Sequence, residues 1–213
     1  MKYKCVIFDC DGVLVDSEPI ANQVMVNMAN ELGAAIDIDY AYKNFKGNAF
    51  NNCVHQISEL IPDAMPSNFE SEYRRRSFET FKNEIKPVDG VTNVIKNLEL
   101  PFCVASSGPE NKIKLNLELT GLLAYFESRM FSCYAVEKWK PDPAVFLWAA
   151  ETMGFHPSEC VVIEDSLIGV TAAINGGFDV FGYTADDSSN SLKGKATQTF
   201  NDMSELLSLI DSN

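Results

Sequence analysis

The chain has 213 residues, 46% of them hydrophobic and 22% charged, ordinary globular usage that excludes intrinsic disorder as the main state. Seventeen basic residues against 30 acidic ones leave a formal charge of −13, a field that repels nucleic acid and anionic lipid. No segment approaches the roughly 18 apolar residues that span a bilayer, so a membrane partner is not expected.

The first apolar run, Tyr3–Phe8, is strand-like and ends in Asp9. It is too short for a signal peptide and no small-residue cleavage site follows, so a cytoplasmic protein is expected. A monomer is expected as well. Six cysteines (5, 10, 53, 103, 133 and 160) form no C-x-x-C pair. Buried thiols in a reducing compartment account for them better than disulfides or zinc ligands.

From residue 17 to residue 86 the pattern is helical. Ile20, Val24, Met28 and Leu32 recur every fourth residue, and Gly33 follows them. Val54, Ile57 and Ile61 continue the theme, and Pro62 ends it. Ser67-Asn68-Phe69-Glu70 predicts a capping box opening another helix, with Phe69, Tyr73 and Phe81 on its apolar side. Arg74-Arg75-Arg76 in that helix reads as a solvated face rather than a phosphate track.

Beyond residue 86 strands and helices alternate. Strand-like runs fall at Phe102–Ser106, Met130–Cys133, Cys160–Ile163 and Val180–Tyr183, with little polar alternation, as in strands buried on both faces. Between them, Asp142-Pro143 predicts a helix start and Gly154 its end, and a second helix runs from about Leu167 to Gly176-Gly177. Met203, Leu206, Leu207 and Ile210 make a closing stripe. These elements predict an α/β fold, a doubly wound parallel sheet of Rossmann-like type, carrying an inserted all-helical domain. The expected boundaries are 1–16 with 87–213 for the sheet domain and 17–86 for the insertion.

The first strand ends in Asp9-Cys10-Asp11-Gly12-Val13-Leu14-Val15-Asp16-Ser17. In extended chain Asp9 and Asp11 share one face, at the carboxyl end of a strand where α/β sheets bind ligands. Two carboxylates there repel one another unless a hard cation such as Mg²⁺ lies between them. An EF-hand loop also begins D-x-D, but Val13 and Leu14 occupy its next ligand and glycine positions. Further candidates follow in order at later strand ends: Ser106, Lys140 in Trp139-Lys140-Pro141-Asp142-Pro143, and Glu164-Asp165.

That ordered set resembles the four motifs of the haloacid dehalogenase (HAD) superfamily, in the branch of β-phosphoglucomutase-like phosphatases, and it spans nearly the whole chain. Phe45-Lys46-Gly47, Ser107-Gly108-Pro109 with Asn111-Lys112, and the Trp139–Ala144 segment are most similar to the bacterial 6-phosphogluconate phosphatases of that branch.

The resemblance implies a Mg²⁺-dependent hydrolysis of a small phosphate ester. It makes Asp9 the nucleophile that becomes an aspartyl-phosphate, Asp11 the general acid and base, and Ser106 with Lys140 the groups that neutralise the phosphoryl oxygens. Metal ligation falls to Asp9, Asp11 through its carbonyl, and Asp165, with Glu164 acting indirectly. Substrate contacts are expected from Lys46 and Gly47 in the insertion, which would act as a cap, and from Ser107, Asn111 and Lys112. A phosphosugar mutase is the first alternative. Mutases of the branch carry a histidine after the first motif and an arginine in the cap loop, where this chain has Ala21 and, near Phe50, no arginine. A catalytically idle binding protein on the same scaffold is the second.

Overall fold

The computed structural model describes residues 2–45, 48, 50–61, 63, 65–187 and 190–212. It divides into two compact units, Met1–Asp16 with Lys86–Asn213, and Ser17–Ile85.

The larger unit is built on six parallel strands in the order β3-β2-β1-β4-β5-β6. They are β1 (Cys5–Phe8), β2 (Phe102–Ser106), β3 (Met130–Ser132), β4 (Cys160–Glu164), β5 (Asp179–Tyr183) and β6 (Gln198–Phe200). Each crossover from one strand to the next returns the chain in the same direction, which is the doubly wound arrangement expected from the alternating pattern. β1 lies between β2 and β4, with Val6 opposite both Phe102 and Val161. All four of its residues are fully buried, because neither edge nor face of a central parallel strand meets water. Cys5 and Ile7 pack into a core with Cys103, Ala105, Val162 and Phe146. Phe8, pointing to the opposite face, meets Phe102 and Phe126 edge to face. All six cysteines are free and buried.

The smaller unit holds α1 (Glu18–Glu31), α2 (Ile38–Asn44), α3 (Phe50–Ser58) and α4 (Phe69–Glu84). Its core gathers Val24, Met28, Ala29, Phe45, Ile57 and Phe69. In the larger unit the helices are α5 (Val91–Asn97), α6 (Glu110–Leu119), α7 (Leu123–Phe126), α8 (Cys133–Val136), α9 (Ala144–Met153), α10 (Leu167–Asn175) and α11 (Leu206–Asp211). Gly154 closes α9 in the left-handed conformation, at φ +83°, and Ser166 caps α10 by accepting the Gly169 N–H.

Local readings needed correction at three places. The capping box of α4 does not form. Phe69 N–H donates to the Pro66 carbonyl in a tight turn that contains Ser67, and the Glu70 carboxylate is taken by Arg74. The helix start at Asp142 lies one residue later than its side chain suggests: Pro143 already has helical torsions, and Asp142 caps it from outside by accepting the Ala144 N–H. Strand β6 was not expected. Two of its three residues, Gln198 and Thr199, are polar, and it sits on the edge of the sheet, where little burial pattern is written.

Candidate active site

The carboxyl ends of β1, β2 and β4 converge on one cluster. Asp9 follows β1 directly and is tied to β4 by its N–H, which donates to the Ile163 carbonyl at 2.9 Å. Glu164 ends β4 and Asp165 follows it. Asp9, Glu164 and Asp165 are all buried, and each offers a carboxylate oxygen within 4.8 Å of the others.

Three such carboxylates in a low-dielectric site need compensation. Lys140 supplies part of it: its Nζ donates to Asp9 Oδ1 and to Glu164 Oε1, each at 2.8 Å, and to the Ala105 carbonyl at 3.3 Å. The lysine side chain is only 3% exposed, so this is a buried ion-pair network. Burial alone would pull the Lys140 ammonium down, but Asp9 and Glu164 outweigh it and hold the lysine above its usual range. Burial pushes the Asp9 carboxyl up, to about 8, with Lys140 opposing and the neighbouring Glu164 and Asp165 charges adding to the rise. The single charge of Lys140 does not match three carboxylates. A hard, oxygen-liking divalent cation answers both the donor set and the charge deficit.

Glu164 has little left to offer such a cation directly. Its Oε1 accepts from Lys140, and its Oε2 accepts from the Ser166 N–H and hydroxyl. Two glycines make the crowding possible. A Cβ at Gly169 would lie 1.7 Å from Glu164 Oε1, and one at Gly12, where φ is +77°, would lie 2.4 Å from Asp165 Oδ2.

Strand geometry ends at Phe8, so the alternation argument for Asp9 and Asp11 does not govern them. The loop closes instead through Leu14 and Val15 N–H groups donating to the Cys10 carbonyl. The two carboxylates therefore have different cationic partners. Asp11 Oδ1 accepts from Lys112 Nζ at 2.8 Å and from Asn116 Nδ2 at 3.4 Å, both on α6.

Of the remaining expected residues, Ser106 is buried at the end of β2, where its Oγ accepts the Gly108 N–H. Ser107 is half-buried, 4.0 Å from the Cys133 thiol. Asn111 is exposed on α6. Lys46 and Gly47 lie outside the described residues. Asn116, Gly12 and Gly169 belong to the site and were not anticipated. For Asn116 the available signal was its spacing, one turn after Lys112.

The chain is similar to known proteins along most of its length. The model of the haloacid dehalogenase-like hydrolase family matches residues 3–177. The 6-phosphogluconate phosphatase of Escherichia coli is 32% identical over 206 residues, 96% of this chain and 93% of that one. A phosphorylated carbohydrates phosphatase of Thermotoga maritima is 28% identical, covering 83% and 82% respectively. Among solved structures, a haloacid dehalogenase-like protein of unknown function from Agrobacterium tumefaciens superposes with a TM-score of 0.87. It is 28% identical, over 99% of this chain and 98% of that one. The chain belongs to the haloacid dehalogenase-like hydrolase family. Within it, the chain is an enzyme of the phosphatase kind. Among the described residues no helix is long and apolar enough to cross a membrane.

Proposed function

We propose that this phosphatase hydrolyses a small phosphorylated sugar or sugar acid, with 6-phosphogluconate as its favoured substrate, through an aspartyl-phosphate on Asp9. The observation that carries the reading is the buried Lys140, bonded at once to Asp9 and Glu164 beside Asp165. A nucleophilic carboxylate needs its charge held in place while an anionic ester approaches, and a preorganised ammonium does this.

In the first step an Asp9 oxygen attacks phosphorus and the bond to the leaving oxygen breaks, with Asp11 giving that oxygen its proton. In the second, water attacks the phosphoryl group, Asp11 takes a proton from it, and the acyl-phosphate bond to Asp9 breaks to release inorganic phosphate. Lys140 and the Ser106 hydroxyl face the charge that develops on the phosphoryl oxygens. Asp9, Asp165 and the Asp11 carbonyl would hold Mg²⁺, whose charge, when bound, offsets that of the carboxylates and the phosphoryl group. The substrate class follows the names of the relatives, and the absence of arginine near Phe50 favours water over a second sugar as acceptor.

The test is phosphate release from a panel of sugar phosphates, phosphorylated sugar acids and phosphate esters that contain no sugar, with Mg²⁺ and with excess chelator. The reading expects 6-phosphogluconate to lead the panel and turnover to vanish in chelator. Undiminished turnover in chelator removes the metal assignment, and a better substrate that is neither a phosphorylated sugar nor a phosphorylated sugar acid removes the substrate class.

A further inference from the structure

We propose that Ser132 is a positioning residue for Ser106: by fixing the Gly108 carbonyl from the end of β3, it sets the direction in which the Ser106 hydroxyl donates to the transferring phosphoryl group. The inference rests on the phosphatase reading, which gives Ser106 that contact, and adds a residue that none of the four motifs contains.

β2 and β3 pair in parallel, with Ser106 opposite Ser132. Each serine is the last residue of its strand, and both are buried. The chain leaving β2 is held by the pair. Gly108 N–H donates to Ser106 Oγ at 3.0 Å, and the Gly108 carbonyl accepts from Ser132 Oγ at 2.7 Å. One residue is thus fixed on both sides by two neighbouring strand ends.

The loop so held stands at the cluster of charges. The carbonyl of Ala105, just before Ser106, accepts from Lys140 Nζ at 3.3 Å, the same ammonium that bonds Asp9. A Cβ at Gly108 would sit 3.4 Å from Ser106 Oγ and 3.8 Å from Asp11 Oδ2. A shift of Gly108 is therefore felt where the phosphoryl group must enter.

Helix capping alone does not account for Ser132. It caps the four-residue α8 by accepting the Tyr134 N–H at 3.1 Å, a task that aspartate or asparagine performs as well. A hydroxyl carries a proton besides its lone pairs. Ser132 uses both, and its shorter bond goes to Gly108 rather than to the helix. Pro109 follows Gly108 and has no N–H, so the peptide between them can be held only through its carbonyl. Ser132 donates to that carbonyl.

The consequence for Ser106 is directional. The Gly108 N–H takes one lone pair of Ser106 Oγ, so the hydroxyl proton is directed away from that amide. A donor aimed in advance at developing charge stabilises a transition state without reorganisation. With the Gly108 carbonyl released, the loop can turn, its N–H leaves Ser106, and the hydroxyl loses its set direction. Ser132 acts through Gly108 and exchanges no proton in the cycle.

The experiment measures kcat/KM on the phosphate ester that leads the panel above, with thermal unfolding, for wild type and five variants. These are Ser132→Ala, Ser132→Asp, Ser132→Thr, Ser106→Ala and the double variant Ser106→Ala/Ser132→Ala. Ser106→Ala, which removes a donor to the phosphoryl oxygens, should lose about 10²-fold. Ser132→Ala, which only misplaces that donor, should lose about tenfold. In the Ser106→Ala background the same change should cost less than about twofold, because nothing is left to position. Ser132→Asp keeps the cap of α8 and lacks the proton, so it should fold and lose activity as Ser132→Ala does. Ser132→Thr keeps the hydroxyl and should recover most of the loss. A merely structural role would make the losses independent, so a tenfold loss from Ser132→Ala in both backgrounds would overturn the inference. Wild-type turnover in Ser132→Asp, Ser132→Ala or Ser106→Ala would overturn it as well. Absence of wild-type turnover on every ester would instead overturn the phosphatase reading, and the inference with it.

Discussion

Two groups of ion pairs in this molecule differ in almost every respect. Around Lys140 the charges are buried, the partners are 24 and 131 residues away in sequence, and both oxygens of Glu164 have defined donors. Along α4 the pairs Arg74–Glu70, Arg75–Glu72 and Arg76–Glu72 are three or four residues apart on an open helix face. Water screens the second set, and its loss leaves behind only solvated charges. Loss of one member of the first leaves a charge in the protein interior. The difference teaches that the fold tolerates the buried cluster for its chemistry, while the exposed one adds little beyond local helix support.

The strongest way to break the contrast is Lys140→Met. It strands Asp9 and Glu164, and the expected cost is about 3–5 kcal/mol, read as a drop of about 10 °C in Tm for a chain of this size. Turnover should fall by at least roughly 10²-fold, as when a preorganised donor to the transition state is removed. Wild-type melting in that variant would mean that the network is not what balances these carboxylates.

Gly169→Ala approaches the same network from behind, without altering any charged group. The added methyl would overlap Glu164 Oε1, so the glutamate must move and Lys140 loses an anchor. A destabilisation of about 1–3 kcal/mol is expected, with a smaller loss of kcat than in Lys140→Met. Unchanged melting and unchanged kcat would show that Glu164 is free to shift.

At the small end stands Glu72→Gln. Hydrogen bonds from Arg75 and Arg76 hold the Glu72 carboxyl down to about 2, from an ordinary value of 4.5. A carboxyl depressed by folding adds stability above its unfolded pKa and loses it as pH falls toward the folded one. The variant should melt at most about 2 °C lower at neutral pH, and the gap should close between pH 4.5 and pH 2. A gap that widened on acidification would contradict this sign.

The same contrast explains what could be read from the sequence. Asp9, Ser106 and Asp165 were legible because each stands at the end of a short apolar run, and a doubly wound sheet collects such strand ends at one edge. Lys140 lies instead in the loop between α8 and α9 and was legible through its Trp139–Pro143 motif alone. Arg74–Arg76 were legible only as a charged helix face, and the pairing of Arg76 with Glu31, 45 residues away, was not. Asn116 was not legible, since it matters only through Asp11, 105 residues away. Gly169 was not, since its closeness to Glu164 depends on how the first turn of α10 folds back on the end of β4. Lys112 was singled out, but its partner was not: a lysine on a helix gives no sign of which anion it will meet. The short edge strand β6 was missed because an edge position writes little burial pattern, and the capping box at Ser67 failed to short-range competition from a turn and a rival ion pair.

The claim on which the account turns is that Asp9 becomes phosphorylated, and it can be tested by acid-quenching the enzyme during turnover and mapping phosphate by mass spectrometry. Wild type and Asp11→Asn, given a phosphate ester with a good leaving group, should carry the adduct on the peptide containing Asp9, and Asp9→Asn should show neither adduct nor turnover. Sustained turnover by Asp9→Asn, or an adduct on a different residue, would contradict the assignment.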